Sequence, residues 1–149
     1  MEVAGTINGI LAQKGSNVWS IAPDAMVFDA IALMADKNVG ALPVVENERL
    51  IGIISERDYT RKVILKGKSS KDTCVEEIMT RQLVTAKPSD TVIECMLVMT
   101  EKRVRHLPVM EGSKMVGVLS IGDVVKWVIS AQAATIDNLE QYITGATPD

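Results

Sequence analysis

The feature that most constrains this chain is an internal repeat with an offset of 65 residues. Over the forty aligned positions from Trp19 to Asp58, the two copies share twelve identities without a gap. Two short motifs recur at this offset: Leu42-Pro43-Val44 with Leu107-Pro108-Val109, and Gly52-x-x-Ser55-x-x-Asp58 with Gly117-x-x-Ser120-x-x-Asp123. Two copies of one apolar pattern have to be buried in the same way, so the repeat predicts a duplicated supersecondary unit.

Each copy shows the same succession of patterns. A short β-prone run, at 19–21 and at 83–85, ends at a Pro-containing turn and precedes apolar residues at helical spacing. The Leu-Pro-Val strand, a polar turn, a dense apolar strand and a second helix follow. We therefore predict a mixed α/β fold of two βαββα units, at 10–66 and 75–130, flanked by helical or frayed segments at 1–9 and 131–149.

Residue types add finer predictions for these elements. Asp24 and Ser89 are the expected N-cap residues of the first helix in each copy. The apolar runs 50–54 and 115–119 are typical of strands buried on both faces, and the Pro in each Leu-Pro-Val strand indicates an edge or a bulge. Short helices are expected around Ile10 and Ile78. The tail has four apolar residues at helical spacing, which fit either an extended last helix with a face for a partner or a frayed end: Ile136, Leu139, Tyr142 and Ile143.

Composition and motifs argue against several classes of function. The formal net charge of −3 argues against a protein that binds the phosphate backbone of nucleic acid, because such proteins are usually basic. No apolar run is long enough to span a bilayer and no signal peptide is recognisable, so we expect a cytoplasmic protein. Cys74 and Cys95 fit neither a metal spacing nor a disulfide pattern. With no nucleophile beside a base and no phosphate-loop fingerprint, we expect neither an enzyme nor a metal site.

The duplicated motifs resemble a pair of cystathionine β-synthase (CBS) domains, most closely the small stand-alone bacterial proteins of that family. The resemblance covers about residues 10 to 130. It implies two units packed about a pseudo-two-fold axis with two clefts between them, and a homodimer formed by further packing of such pairs. It also implies a sensor that binds an adenosine compound, with AMP the first expectation and ADP, ATP, NAD(H) or S-adenosylmethionine the others. Occupancy would be transmitted to a regulated protein that the sequence does not identify.

In the family, the Ser and Asp of the duplicated motif contribute to the ligand clefts, which points here to Ser55 and Asp58, and to Ser120 and Asp123. A Ser at a helix start can address a phosphate or sugar oxygen, and the helix N-terminus favours an anion. An Asp three residues later can accept both hydroxyls of a ribose. The same spacing also fits a capping box, in which both side chains serve the helix itself, and this reading stays open.

Basic residues precede the second Leu-Pro-Val strand. In related CBS pairs, basic residues at the positions of Arg105 and His106 reach ligand phosphates. In strand geometry Arg103 would share a face with Arg105, and Arg57 within the first motif is a further candidate for phosphate binding. Without the family, His106 would be interpreted as a surface histidine with no task.

The first copy lacks the basic pair, because Gly40 and Ala41 stand at the corresponding positions. We therefore predict two unequal clefts, of which the one with the second copy's residues is the better nucleotide site. The first cleft would bind weakly, bind the far half of a dinucleotide, or stay empty. The competing hypothesis for the whole chain is an oligomerisation or interaction scaffold that binds no ligand.

Overall fold

The computed structural model describes residues 5–15 and 17–144, without the side chains of residues 132, 134–139 and 141–144. Its elements, in chain order, are α1 (Ile7–Lys14), α2 (Val27–Lys37), β1 (Ala41–Glu46), β2 (Arg49–Ser55), α3 (Glu56–Tyr59), α4 (Val75–Ile78), α5 (Val92–Lys102), β3 (His106–Glu111), β4 (Lys114–Ser120) and α6 (Ile121–Thr144). A π-helical turn, Thr60–Ile64, continues α3. The strands form two two-stranded sheets, β1–β2 and β3–β4, so the predicted mixed α/β class and the repeated element order are confirmed.

The chain folds into two compact units that exchange their leading segments. The first unit comprises residues 17–85 and 108–118, and the second comprises residues 5–15, 86–107 and 119–144. Thus α1, which precedes the first copy in the chain, packs in the second unit, whereas α4 precedes the second copy and packs in the first. The apolar residues of these short helices explain the exchange, because Ile7, Ile10, Val75 and Ile78 are all buried.

The exchanged segments also bond the first amides of the long helices. In the first unit, the amide of Val27 donates to the carbonyl of Thr73 at 2.8 Å. In the second unit, the amide of Val92 donates to the carbonyl of Gly5 at 3.1 Å. Helix N-termini leave such donors unpaired, so a neighbouring backbone that accepts them stabilises the helix start.

The N-cap predictions were wrong by two residues in both copies. The N-caps are Met26 for α2 and Thr91 for α5, and the Thr91 hydroxyl accepts the amide of Glu94 at 3.1 Å. Asp24 and Ser89 lie instead in the turns before these helices. The second turn is closed by the Asp90 carboxylate, which accepts the amide of Lys87 at 2.9 Å, so the helix can begin only after it.

The β1–β2 hairpin shows how the core of the first unit is arranged. Its turn residues, Asn47 and Glu48, have φ angles of 51° and 66°, as a two-residue type I′ turn requires. The register shifts between Val44 and Val45, which confirms the irregularity expected beside the proline. The expectation that β2 is buried on both faces was wrong: in its apolar stretch, fully buried residues alternate with half-buried ones. The same holds for β4, since each strand has only one neighbour and one covered face.

The ends of the copies also differ from the predictions in detail. The β-prone runs at 19–21 and 83–85 form isolated bridges at most, such as the parallel bridge of Ile21 to Val44, because each run is too short to build a ladder. The last helix continues through Thr144, as the extended-helix interpretation of the tail expects. The side chains of its apolar stripe, at 136, 139, 142 and 143, lie outside the described residues. Within 5–15 and 17–144, no helix has the length and apolar character needed to cross a membrane.

Candidate functional site

The Ser-x-x-Asp motif of the first copy forms a complete capping box. Ser55 is the N-cap of α3, and its hydroxyl oxygen accepts the amide of Asp58 at 3.2 Å. In return, the Asp58 carboxylate accepts the Ser55 amide at 3.0 Å. The other carboxylate oxygen faces Lys62 Nζ at 3.0 Å and the Thr80 hydroxyl at 3.3 Å. Both oxygens of this carboxylate are therefore bonded within the unit, and Asp58 is only 9% exposed.

The motif of the second copy repeats the capping geometry at the start of α6. The Ser120 hydroxyl accepts the amide of Asp123 at 3.1 Å, and the Asp123 Oδ2 atom accepts the amide of Ser120 at 2.8 Å. The same Oδ2 atom lies 2.7 Å from Lys14 Nζ, in an ion pair whose side chains are 34% exposed for Lys14 and 22% exposed for Asp123. The capping interpretation therefore describes both motifs in this structure, and it leaves the second carboxylate the more accessible of the two.

The basic segment of the second copy lies beside this motif. The carbonyl of Arg105 accepts the amide of Ile121 at 2.8 Å, directly after Ser120. The first copy has the same bond between Glu56 and Gly40, at 3.1 Å. The segment before β3 and the first residue of α6 are therefore held side by side, and His106 begins the strand next to them.

The expectation that Arg103 and Arg105 share a strand face was wrong. The strand begins only at His106, and Arg103 ends α5 in the left-handed conformation, with φ 55° and ψ 42°. Arg103 and Arg105 are both exposed, and His106 is half-buried. In the first unit, the candidate Arg57 is exposed on α3, while its neighbour Asp58 is buried. The backbone hydrogen bond from Ile121 to Arg105 thus places Arg105 and His106 next to the second motif.

The charges around Asp123 and His106 act on each other. Burial raises the pKa of Asp123, but the hydrogen bonds from Lys14 and from the Ser120 backbone outweigh it and leave the pKa below its ordinary value. Burial, then the positive charge of Lys14, lowers the pKa of His106, with Asp123 acting in the opposite direction and Arg105 in the same direction. The neutral form of His106 is therefore favoured at neutral pH, and Lys14 and Arg105 contribute positive charge beside it.

Sequence reasoning missed three side chains at the two carboxylates. Lys62 lies one helical turn after Asp58, so an i, i+4 pair could have indicated it. Thr80 and Lys14 could not have been found this way, because they reach the motifs from 22 and 109 residues away in the chain. Cys95 is buried on α5, and this burial raises the pKa of its thiol to about 11, so the thiol stays protonated at neutral pH.

Two cavities lie on the helical faces of the units, and each is lined by a residue within a Ser-x-x-Asp motif, Glu56 in the first copy and Ile121 in the second. In the first unit, a cavity of about 450 Å³ between α2 and α3 is lined by Met34, Asn38, Gly40 and Glu56, among others. In the second unit, a groove of about 170 Å³ between α5 and α6 is lined mainly by apolar side chains such as Met96, Ile121 and Ile129. Among the described residues, no three His, Cys, Asp or Glu side chains come together as a metal site would need.

The comparisons with known proteins decide the family. The model of the CBS domain matches this chain twice, at residues 15–64 and 75–130. The chain belongs to the CBS-domain family. The Arabidopsis thaliana CBS domain-containing protein CBSX3, labelled mitochondrial, is 42% identical over 150 residues, which are 94% of this chain and 72% of that protein.

Solved structures agree with this assignment. A protein with CBS domains from Burkholderia ambifaria MC40-6 is 48% identical, with a TM-score of 0.83 over 86% of this chain and 96% of that one. The CBS domain pair of protein MJ0100, in complex with 5′-methylthioadenosine and S-adenosyl-L-methionine, is 22% identical, with a TM-score of 0.73 over 85% of this chain and 98% of that one. At 22% identity this last likeness shows the fold alone. The chain thus carries a CBS domain pair, a module that is commonly regulatory and ligand-binding, and stand-alone CBS proteins are typically not enzymes.

Proposed function

We propose that this CBS pair is a regulatory module that binds an adenine nucleotide at the Ser120–Asp123 motif and transmits its occupancy to a partner protein. The observation that carries the proposal is the arrangement of one accessible carboxylate beside a group of cationic side chains. Asp123 starts α6, Lys14 lies 2.7 Å from its Oδ2 atom, and Arg105 is held next to the motif by its carbonyl. A ribose and a phosphate need this pair of features: an acceptor for hydroxyls, and positive charge within a few ångströms.

In this proposal, each residue has a separate role. The Asp123 carboxylate accepts the ribose hydroxyls, and the Ser120 hydroxyl and the amides at the start of α6 address an oxygen of the sugar or phosphate. Arg105 offers a planar guanidinium to the phosphate, with Arg103 at the edge of the site. His106 gains a proton when a phosphate dianion lies beside it, because the added negative charge favours the imidazolium form.

The two motifs are unequal in the same proposal. Asp58 is 9% exposed and already bonded by Lys62 and Thr80, and Gly40 and Ala41 replace the basic pair of the second copy. Ser55, Asp58 and the exposed Arg57 therefore form the weaker site. AMP fits the stronger site best, because its one phosphate matches one cationic group, and ATP and NAD(H) are the next candidates. The MJ0100 domain pair, solved with two adenosine compounds, is consistent with this class of ligand.

Isothermal titration calorimetry with AMP on matched variants tests the proposal. We expect Asp123→Asn to weaken binding at the tighter site by about tenfold to a hundredfold, since a ribose would lose its charged acceptor. Asp58→Asn should leave that site unchanged. Equal losses in both variants would contradict the assignment of the stronger site to the second copy.

The competing hypotheses of a scaffold and an enzyme predict other results. A ligand that binds only the folded state raises the melting temperature, so a thermal-shift screen with AMP, ATP, NAD(H) and S-adenosylmethionine separates a sensor from a ligand-free scaffold. No shift with any of them would favour the scaffold.

Turnover assays with ATP and NADH separate binding from catalysis, and we expect no product. Metals are not required in this proposal, and we expect the chelator EDTA to leave AMP binding unchanged.

We further propose that the protein is a homodimer that acts in the cytoplasm. The α5–α6 face of the second unit leaves large apolar side chains in solvent, with Leu97 63% exposed and Ile129 59% exposed. A second copy with the same face would cover them in an isologous contact. Light scattering should give twice the chain mass, and Leu97→Lys with Ile129→Lys should give the mass of one chain.

Cell fractionation tests the proposed cytoplasmic location, with the mitochondrial label of the Arabidopsis relative as the contrasting case.

A further inference from the structure

Lys14 occupies the carboxylate that the proposed function assigns to the ribose. Its Nζ atom lies 2.7 Å from Oδ2 of Asp123, although 109 residues separate the two in the chain. The same Oδ2 atom already accepts the Ser120 amide at 2.8 Å. A ribose diol would bring two further donors to this carboxylate, so a nucleotide competes with the ammonium group for its acceptor positions.

The backbone of α1 is anchored, and the side chain of its last residue, Lys14, is part-exposed. Ile7 and Ile10 are buried, and the Trp127 ring packs on Gly9 so closely that a Cβ there would lie 3.1 Å from it. These contacts hold the helix backbone in the second unit. The Lys14 side chain, 34% exposed, reaches the carboxylate over a flexible four-carbon stem. Once displaced from Asp123, its ammonium group therefore stays within a side-chain length of the site.

The surroundings favour a phosphate as its second position. A ribose bonded to Asp123 would take the acceptor positions of the carboxylate that Lys14 now faces. Arg105 and His106 are beside the same motif, and both can donate hydrogen bonds to an anion. The phosphate of a bound nucleotide is then the nearest new negative charge for the ammonium group.

We propose that Lys14 is a displaceable latch: it closes the Asp123 carboxylate in the ligand-free protein and moves to the phosphate of a bound nucleotide, so that the site selects nucleotides over nucleosides. The inference rests on the proposed function and adds a residue outside the duplicated motifs to it. A nucleoside has to displace Lys14 and offers it nothing in return, whereas a nucleotide supplies the replacement charge. Occupancy of the site is thereby linked to the end of α1.

The first copy has no equivalent of this latch among the residues described. There the lysine is Lys62, which comes from the same helical segment as Asp58, one turn later. Its Nζ also donates to the carbonyl of Ile78 at 2.8 Å, so it is held between two acceptors of its own unit. The position that corresponds to Lys62 in the second copy is Trp127. The two copies therefore close their carboxylates with lysines from different places in the chain.

Calorimetry with AMP and with adenosine on the full chain tests the latch. We expect Lys14→Met to tighten adenosine binding by roughly two- to fivefold, because a part-exposed ion pair no longer competes. The same variant should weaken AMP binding by roughly tenfold, because a charge-assisted bond to the phosphate is lost. Lys14→Arg should restore the wild-type preference. Lys87→Met, which removes an exposed lysine from the same unit, should leave both affinities unchanged.

The outcomes separate the latch from the proposed function. If the wild type binds AMP and Lys14→Met changes neither affinity, or changes both in the same direction, the latch is wrong and the nucleotide site stands. If the wild type binds neither compound, both proposals are wrong. Nuclear magnetic resonance titration of the Asp123 carboxyl gives a ligand-free readout, since its pKa should rise in Lys14→Met. Lys14→Gln, also uncharged, serves as the second variant if the first fails to fold.

Discussion

The two Ser-x-x-Asp motifs of this protein have the same backbone geometry and different surroundings. In both, the Ser hydroxyl accepts the Asp amide and the Asp carboxylate accepts the Ser amide. Asp58 is then enclosed by Lys62 and Thr80 of its own unit, whereas Asp123 pairs with Lys14 from the start of the chain. Duplication has preserved the cap, and divergence has acted on the charges around it.

The proposed function requires a helix cap and a ligand site to share the same two residues. A capping box uses the Ser and Asp side chains to bond two amides of the helix start, which is a gain in stability. The carboxylate keeps further acceptor capacity beyond the one amide it bonds. Whether that capacity serves a ligand depends on exposure and on nearby cations, and the second copy has more of both.

The largest expected effect that tests this comparison is on stability. We expect Asp58→Ala to lower the free energy of unfolding by about 3 kcal/mol, because it removes the bonds that this buried carboxylate makes to the Ser55 amide, to Lys62 and to Thr80. Asp123→Ala should cost about 1 kcal/mol, since its carboxylate is more exposed than that of Asp58 and is bonded to the Ser120 amide and to Lys14 only through Oδ2. Urea denaturation followed by circular dichroism measures both.

The control for this pair is Asp24→Ala. Asp24 is exposed in the turn before α2 and does not cap the helix, so its loss should change the free energy of unfolding by less than about 0.5 kcal/mol. Equal losses for Asp58 and Asp123 would show that the different surroundings of the two carboxylates carry no energetic consequence.

The fold was largely predictable from the sequence, and the candidate site only in part. Periodicity located the helices and strands because burial of an apolar face is a local pattern, repeated here at an offset of 65. The N-caps were misplaced because the turn at Asp90 competes with a cap at Ser89, and residue types alone do not rank the two. Lys14 was missed for another reason: the exchange of α1 and α4 between the units is a long-range packing event, and no local spacing reports it.

A smaller effect should follow from the helix ends that correspond in the two copies. Arg103 and Asn38 end α5 and α2 with the same left-handed φ of 55°. Asn tolerates this conformation better than Arg does, so Arg103→Gly should raise the free energy of unfolding by about 1 kcal/mol and Asn38→Gly by only a few tenths. Thermal unfolding by circular dichroism compares them. A loss of stability in Arg103→Gly would mean that the arginine side chain contributes more to the fold than its backbone strain costs.

The smallest expected effect is a pH dependence that belongs to the second unit alone. Burial and the charge of Lys14 lower the pKa of His106 from its ordinary 6.5, and the first copy has Ala41 at this position. The unfolded chain therefore takes up a proton at a higher pH than the folded protein does. Between these two pKa values the unfolded state binds more protons, so stability is full above pH 6.5 and falls as the pH is lowered through that window.

Urea denaturation between pH 5 and pH 8 on the wild type and on His106→Gln measures the contribution of His106 to the pH dependence of stability. We expect the slope of unfolding free energy against pH to flatten in the variant above pH 5, because the chain has one histidine. The depressed pKa of Asp123 acts separately, since its stabilisation is lost only below the ordinary range of a carboxyl group.

Saturating AMP should reverse the sign of the contribution of His106 to the pH dependence, because a bound phosphate favours the protonated imidazole. Saturating adenosine should leave that sign unchanged. A wild-type slope that His106→Gln leaves unchanged would move the pH dependence elsewhere and separate His106 from the site.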